Sequence, residues 1–251
     1  MNIPDELIQA LQQTARVTVM TGAGISQESG IPTFRDAMEG LWAKYDPAEL
    51  ATPEAFERDP ERVTRWYDER RMKCLSARPN AGHHALARME SAFQDRGDYF
   101  VLITQNIDGL HRSAGSRDVI ELHGSIRRWR CVACNRARDE DGGLFETYPP
   151  RCECGGMRRP DVVWFGEFLP EAAVRRATAA SLSCNLFLSV GTSGVVYPAA
   201  DLLNTAKVAG AKIVEVNPEP TPASAFADWM LPGRAGDVLP KLAEITERKR
   251  M

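Results

Sequence analysis

Four near-continuous apolar runs constrain this chain more than any other feature: Arg16-Val17-Thr18-Val19-Met20, Tyr99-Phe100-Val101-Leu102-Ile103, Leu186-Phe187-Leu188-Ser189-Val190 and Lys212-Ile213-Val214-Glu215-Val216. A strand with one wet face alternates apolar and polar residues. Runs that stay apolar through both alternate sets suit strands covered on both faces, as in a parallel sheet. A shorter run, Val119-Ile120-Glu121-Leu122, leads into His123. Helical spacing fills the intervals: Leu7, Ile8 and Leu11 behind Pro4, then Leu86, Met89 and Phe93, Leu202, Leu203 and Ala206, and Leu239, Leu242 and Ile245. Alternating strands and helices predict a doubly wound α/β fold. Ligands of such sheets bind at the carboxyl ends of the strands, so the residues just after each run carry the functional information.

Two stretches break the alternation. Residues 34 to about 80 read as helices rich in charge and aromatics. Residues 124 to about 165 hold a cysteine cluster and loop-like sequence such as Asp139-Glu140-Asp141-Gly142-Gly143. Both are expected to be insertions that together form a smaller lobe. The chain of 251 residues, 43% hydrophobic and 26% charged, has room for this plan. A net charge of -3 argues against a protein built to coat nucleic acid. No run approaches the ~18 apolar residues of a membrane span. The N-terminus lacks a basic start and an apolar stretch, so a cytoplasmic location is expected.

Three groups of residues carry chemistry. Thr21-Gly22-Ala23-Gly24-Ile25-Ser26 follows the first strand, where glycines let the backbone approach a pyrophosphate; a plain tight turn is the other reading. No second strand ending in an acidic residue follows at dehydrogenase spacing, so hydride transfer fits poorly. Cys131-x2-Cys134-x17-Cys152-x-Cys154 supplies two close pairs of thiolates, the set a tetrahedral zinc site needs. Four protein ligands leave no open position, which makes that metal structural. Arg127, Arg128 and Arg130 beside it leave a nucleic-acid zinc ribbon as the rival reading, weakened by the acidic residues at 139–141. At the strand ends, Gln105-Asn106-Ile107-Asp108 follows Thr104, His123 follows Leu122, Gly191-Thr192-Ser193 follows Val190, and Asn217 follows Val216. They offer hydrogen-bonding groups to a ligand, although an Asx turn explains Asp108 and a structural role explains His123 equally well.

Taken in order, these pieces resemble the sirtuins, the NAD-dependent protein lysine deacylases. The matching segments are Gly22-Ala23-Gly24-Ile25-Ser26, Gly30-Ile31-Pro32-Thr33-Phe34-Arg35, Thr104 to His111, Leu122-His123-Gly124, the cysteine quartet, Val162-Val163-Trp164-Phe165-Gly166-Glu167, Gly191-Thr192-Ser193 and Val216-Asn217-Pro218. The resemblance implies a Rossmann-like NAD-binding lobe over residues 1–33, 82–123 and 168–251. It implies a small lobe made of a helical insertion, 34–81, and a zinc-binding module, 124–167. NAD would be held by Gly22, Ala23, Gly24, Arg35, Gln105, Ile107, Asp108, Gly191, Thr192, Ser193, Asn217 and Ala235. His123 would be the general base and Asn106 its catalytic partner, while Val163, Trp164, Phe165 and Gly166 would receive the acyl-lysine peptide. In the implied reaction the acyl oxygen attacks the ribose carbon as nicotinamide leaves. His123 then activates a ribose hydroxyl to attack the resulting imidate, water releases the lysine, and the products are nicotinamide, free lysine and O-acyl-ADP-ribose.

The helical insertion refines the substrate. Trp66-Tyr67-Asp68-Glu69-Arg70-Arg71 puts Tyr67 and Arg70 at i and i+3 on one helical face. A solvated amphipathic helix accounts for that spacing. The sequence is also similar to the class III desuccinylase and deacetylase branch of bacterial sirtuins, where a Tyr-x-x-Arg pair binds the acyl carboxylate. Ala37 and Gly40-Leu41-Trp42 are compatible with a roomy acyl pocket. The expected partners are acylated lysine peptides and proteins, with no membrane or nucleic acid, and the expected state is a monomer. The alternatives are mono-ADP-ribosyl transfer from the same NAD site and a non-catalytic reader of NAD or acyl-lysine.

Overall fold

The computed structural model describes residues 2–32 and 47–248. Its frame is a six-stranded, wholly parallel sheet: β1 (Arg16–Thr21), β2 (Tyr99–Thr104), β3 (Val119–Glu121), β7 (Leu186–Val190), β8 (Lys212–Asn217) and β9 (Trp229–Pro232). The spatial order is β3-β2-β1-β7-β8-β9. The chain therefore lays β1 first, builds outward on one side through β2 and β3, then returns to pair β7 with the other side of β1. Val19 has Leu102 as its register partner on one flank and Leu188 on the other. Doubly wound sheets carry their ligand crevice at such a reversal of strand order.

Strand pleating sends alternate residues to opposite faces. Val17, Val19, Leu186, Leu188, Val214 and Val216 join Leu7, Leu11, Leu86, Met89, Phe93, Leu239 and Leu242 in one core. Met20, Ile103, Phe187 and Ile213 turn the other way, against Ala177, Leu202, Leu203 and Ala206. The helices Asp5–Gln13, Ala81–Asp95 and Ala235–Glu247 thus cover one face, and Glu171–Ser183 and Asp201–Val208 the other. Both faces are dry, as the continuous apolar runs predict.

A third core gathers Leu50, Ala55, Phe56, Val63 and Tyr67 from the insertion with Ile126, Trp129, Val162 and Trp164 from the cysteine-bearing segment. The described part of the insertion is helical throughout, with helices Pro47–Leu50, Pro53–Arg58 and Pro60–Ser76. Each of the last two begins on proline. Their caps are Thr52, which accepts from the Ala55 amide, and Asp59, which accepts from the Arg62 amide. The loop-like reading of residues 124 to about 165 needs correction. This segment contains an antiparallel sheet of β4 (Gly124–Cys131), β5 (Ala137–Asp139) and β6 (Arg158–Val162), with β4 in the middle. The arginines in β4 and β6 hid the strands from a hydropathy reading. They are buried or half-buried because carboxylates meet them, Arg128 with Asp161 and Arg159 with Glu167.

The chain passes from the large sheet to the small one at Gly124, directly after His123. Gly124 has φ of 76°, and a Cβ there would sit 2.1 Å from the Asp161 carbonyl oxygen. Gly124→Ala should therefore cost about 3 kcal/mol or more, read as a fall in the urea midpoint at unchanged slope. A loss below about 1 kcal/mol would mean that β4 and β6 re-space freely.

Candidate active site

At the reversal, backbone packs on backbone. The Gly22 amide donates to Val190 O at 3.0 Å, the Gly24 amide to Gly191 O at 3.0 Å, and the Gly191 amide to Val216 O at 2.9 Å. A Cβ on Gly22 would lie 2.7 Å from Gly191 O, and one on Gly24 would lie 2.8 Å from Gly191 Cα. Side chains are thus excluded where the two loops meet. The chain continues as a 3-10 helix, Ala23–Ser29, closed by Gly30 in the left-handed region. On the β7 side, Thr192 is buried and shares a 2.8 Å hydrogen bond with Ser189, while Ser193 is half-buried. Asn217 donates to Thr192 O and to Glu215 Oε1, both at 3.1 Å. Ala235 is buried at the start of its helix, against Gly82. Arg35, Ala37 and Gly40 to Trp42 lie outside the described residues.

A polar network lies on the other side of the crevice. Asn106 donates from Nδ2 to Gly22 O at 3.0 Å and to Ser26 Oγ at 3.1 Å, and Ser26 donates to Asp108 Oδ2 at 2.8 Å. Asp108 Oδ1 accepts the Leu110 amide at 2.8 Å, so this carboxylate makes the Asx turn and faces the network at once. Burial pushes the Asp108 carboxyl up, and its bonds from Leu110 and Ser26 pull it partly back. Behind Ser26 lie two buried histidines, His83 and His111, with ring centroids 4.9 Å apart. His111 Nε2 is 2.8 Å from Thr21 Oγ1, which donates to Thr104 at 2.9 Å. Ser26 and His111 stand in motifs quoted from the sequence but were given no role there, and His83 was not singled out. Nothing local in the sequence joins them, since Ser26 meets His83 across 57 residues of chain and Thr21 meets His111 across 90.

Gln105 and His123 are joined across two strand ends. The Gln105 amide donates to Thr21 O at 3.0 Å, and the Gln105 carbonyl accepts from His123 Nδ1 at 2.9 Å. A carbonyl only accepts, so Nδ1 carries the proton and Nε2 keeps its lone pair. Burial lowers the His123 pKa, opposed in part by the Gln105 bond. Ile107 is half-buried, and its carbonyl receives the Ile126 amide at 2.9 Å.

Around the small core, Tyr67 is buried, with Trp66 edge-on at 4.7 Å and Trp164 at 6.1 Å. Burial pushes the Tyr67 phenol up to about 12, and nearby Arg70 pulls it down part way, so it remains a donor at neutral pH. Arg70 stacks on Trp66 at 4.5 Å, its Nε is buried without a partner, and no carboxylate among the described residues pairs with it. Trp164 is buried under Arg159, whose guanidinium carbon is 3.3 Å from the ring centroid. Val163 gives its amide to His123 O, and Phe165 gives its amide to Ala51 O. Phe165 and Gly166 are exposed.

The four cysteine sulfurs lie within 4.8 Å of one another. Cys131 and Cys154 are 3.5 Å apart, and Cys134 and Cys152 are 3.8 Å apart. Tetrahedral zinc with ~2.3 Å bonds to sulfur requires edges of ~3.8 Å, so the set fits that ion. Gly156 leaves room for it, since a Cβ there would lie 2.7 Å from Cys131 Sγ. Cys74 and Cys184 are buried elsewhere.

A parallel sheet with a glycine-walled switch point, polar strand ends and a closed four-cysteine module defines a nucleotide-using α/β enzyme. The comparisons narrow that class. The model of the Sir2 family matches residues 22–198. The chain is 52% identical over 250 residues to NAD-dependent protein deacylase 2 of Pyrobaculum aerophilum, covering 99% of this chain and 96% of that protein. It is 51% identical over 246 residues to NAD-dependent protein deacylase 1 of Pseudomonas aeruginosa, covering 94% and 96%. A Sir2 homologue solved with NAD superposes at a TM-score of 0.91 and 43% identity, covering 98% of this chain and 94% of that one. A Sir2 protein solved with a deacetylated p53 peptide and 3'-O-acetyl ADP ribose gives 0.81 at 34% identity, covering 95% and 96%. The chain belongs to the Sir2 family. Among the described residues, no helix is long and apolar enough to cross a membrane.

The buried histidines set an acid limit on stability. Burial lowers His83 to about 4 and His111 to about 3, with neighbouring histidines adding to both. Both are neutral in the folded state, so their full stability is present above the unfolded value of about 6.5. It is lost as pH falls from there toward 4 and then 3, each pH unit costing about 1.4 kcal/mol per histidine. The melting temperature should therefore begin to drop below about pH 6.5, and His111→Gln should flatten that slope. A midpoint that stays constant down to pH 4 would contradict this.

Proposed function

We propose that this protein removes acyl groups from lysine side chains by consuming NAD, and that the crevice at the β1/β7 reversal is where it does so. The reading rests on its family and on relatives named NAD-dependent protein deacylase. NAD is the co-substrate, and the cysteine quartet suits one structural zinc ion. The observation that carries the reading is the neutral His123, its Nδ1 tied to Gln105 O and its Nε2 left as a proton acceptor. In this proposal Nε2 takes the proton from a ribose hydroxyl of the bound dinucleotide. Asn106 keeps Oδ1 for the ligand, because only its Nδ2 is spent on Gly22 and Ser26. Asp108, with Ile107 beside it, faces the carboxamide of nicotinamide. Gly22, Ala23, Gly24, Gly191, Thr192 and Ser193 receive the phosphates, Asn217 and Ala235 the adenosine end, and Arg35 the same ligand from outside the described residues.

Residues 1–33, 82–123 and 168–251 form the NAD-binding unit, and 34–81 with 124–167 form the small lobe that shares a core of its own. The acyl-lysine peptide runs along Val163 to Gly166, with Trp164 beside the acyl chain. Tyr67 and Arg70 take acyl groups that end in a carboxylate, such as succinyl or malonyl. Arg70 is the telling residue, since a partly buried guanidinium with no carboxylate partner among the described residues suits a ligand that supplies one.

His123→Ala should lower kcat/KM by a factor of about 100 to 10,000 on acetyl and succinyl peptides alike. The acid limb of activity should have its midpoint at a lower pH than the ordinary histidine value of about 6.5, because burial lowers the His123 pKa and only the neutral ring accepts a proton. Arg70→Met should cost desuccinylation about 30- to 100-fold and leave deacetylation within about threefold. Mass-spectrometric detection of succinyl-ADP-ribose with NAD present is the decisive readout. Release of acetyl alone would remove the carboxylate pocket, and transfer of ADP-ribose to protein without deacylation would replace the reading.

A further inference from the structure

Interleaved with Tyr67 and Arg70 on the helix Pro60–Ser76 are two residues that the acyl site does not use, Asp68 and Arg71. Both side chains are fully buried and form an ion pair at 2.7 Å. The rest of their bonding capacity goes to one segment of the cysteine-bearing module. Arg71 donates to Glu140 O at 2.5 Å, to Gly142 O at 3.0 Å and to Gly143 O at 2.6 Å, besides Asp68. Asp68 Oδ2 accepts the Phe145 amide at 2.8 Å and the Tyr148 hydroxyl at 2.7 Å. Arg71 also stacks on Phe145, which packs edge-on against Trp129 at 4.8 Å. Trp129 lies on β4, the strand that ends at Cys131.

We infer that Asp68 and Arg71 are positioning residues: they clamp the insertion helix to the zinc module and so fix the rotation at which Tyr67 and Arg70 meet an acyl carboxylate. This rests on the reading of Tyr67 and Arg70 given above. The constraint on the helix is angular. Successive helical residues are about 100° apart, so 67 and 70 share one face and 68 and 71 share the next. A guanidinium with its donors held by a carboxylate and three backbone carbonyls has one orientation, and the helix turns with it. Burying this pair without those partners would be unfavourable, which makes the clamp a two-sided contact rather than a local one. A bidentate grip on a carboxylate tolerates little misplacement, so a small rotation is felt by succinyl substrates. An acetyl group ends before the pair and does not feel it.

The test compares steady-state kinetics of the full chain on matched succinyl and acetyl peptides for Arg71→Lys, Asp68→Asn, Tyr148→Phe and Arg70→Met, with zinc content and melting temperature measured on each. Arg71→Lys and Asp68→Asn are expected to raise KM for the succinyl peptide about tenfold or more, while KM for the acetyl peptide and for NAD stays within about twofold. Tyr148→Phe, which removes one hydrogen bond and leaves the ion pair, should produce the same split at about two- to threefold, and it decides the matter if the charged variants fail to fold. Equal changes on both peptides in zinc-replete, folded variants would overturn the clamp's role in selectivity. So would a wild-type succinyl KM in those variants while Arg70→Met loses it. Should Arg70→Met affect both peptides equally, the carboxylate reading of Arg70 itself fails, and the inference fails with it.

Discussion

The structure depends on the contact between two loops at the point where the strand order reverses. Gly24 donates to Gly191 O, Gly22 to Val190 O, and no Cβ fits between them. Because backbone meets backbone, amides and carbonyls rather than side chains wall the crevice, which suits a charged, extended dinucleotide. The contact extends the β1/β7 ladder, which already pairs Thr21 with Val190, into the loops that follow. A parallel sheet buried on both faces supplies the rigidity, since its strands are locked by two separate cores.

From that junction the polar groups are set in a chain of hydrogen bonds rather than singly. Ser26 ties Asn106 to Asp108, and Gln105 bridges β1 to His123 through its amide and its carbonyl. The histidine tautomer is thus decided by a backbone carbonyl that no side-chain substitution removes. Beneath the network, His83 and His111 are held neutral by burial, so the site sits on polar groups that resist protonation at ordinary pH.

The small lobe obeys a different logic. Its core is thin, and charged residues do much of the joining: Asp68 with Arg71, Arg159 with Glu167, Arg128 with Asp161. Directional bonds of this kind define angles as well as distances. The four cysteines lie at the far end, where turns at Asn135 and Gly155 close each pair and the β4–β6 ladder brings the two pairs together.

Much of this was legible in the chain itself. Continuous apolar runs marked five of the six strands of the large sheet to within a residue or two, because burial on both faces leaves a one-dimensional signature; β9 (Trp229–Pro232), a part-exposed edge strand, carries no such run and was missed. Cysteine spacing likewise declares its chemistry locally, whereas the glycine loop by itself leaves a plain tight turn open. Strands β4 and β6 were not legible, since Arg128, Arg130, Arg158 and Arg159 read as surface until their carboxylates, distant in sequence, are known. The association of Ser26, His83 and His111 with Asn106 and Asp108, the pairing of His123 with Gln105, and the locking of Asp68 and Arg71 onto residues 140–148 were decided only by tertiary structure. The reason is physical: a local pattern records which surface is buried, whereas a hydrogen bond between distant residues depends on an alignment that exists only once the chain has closed.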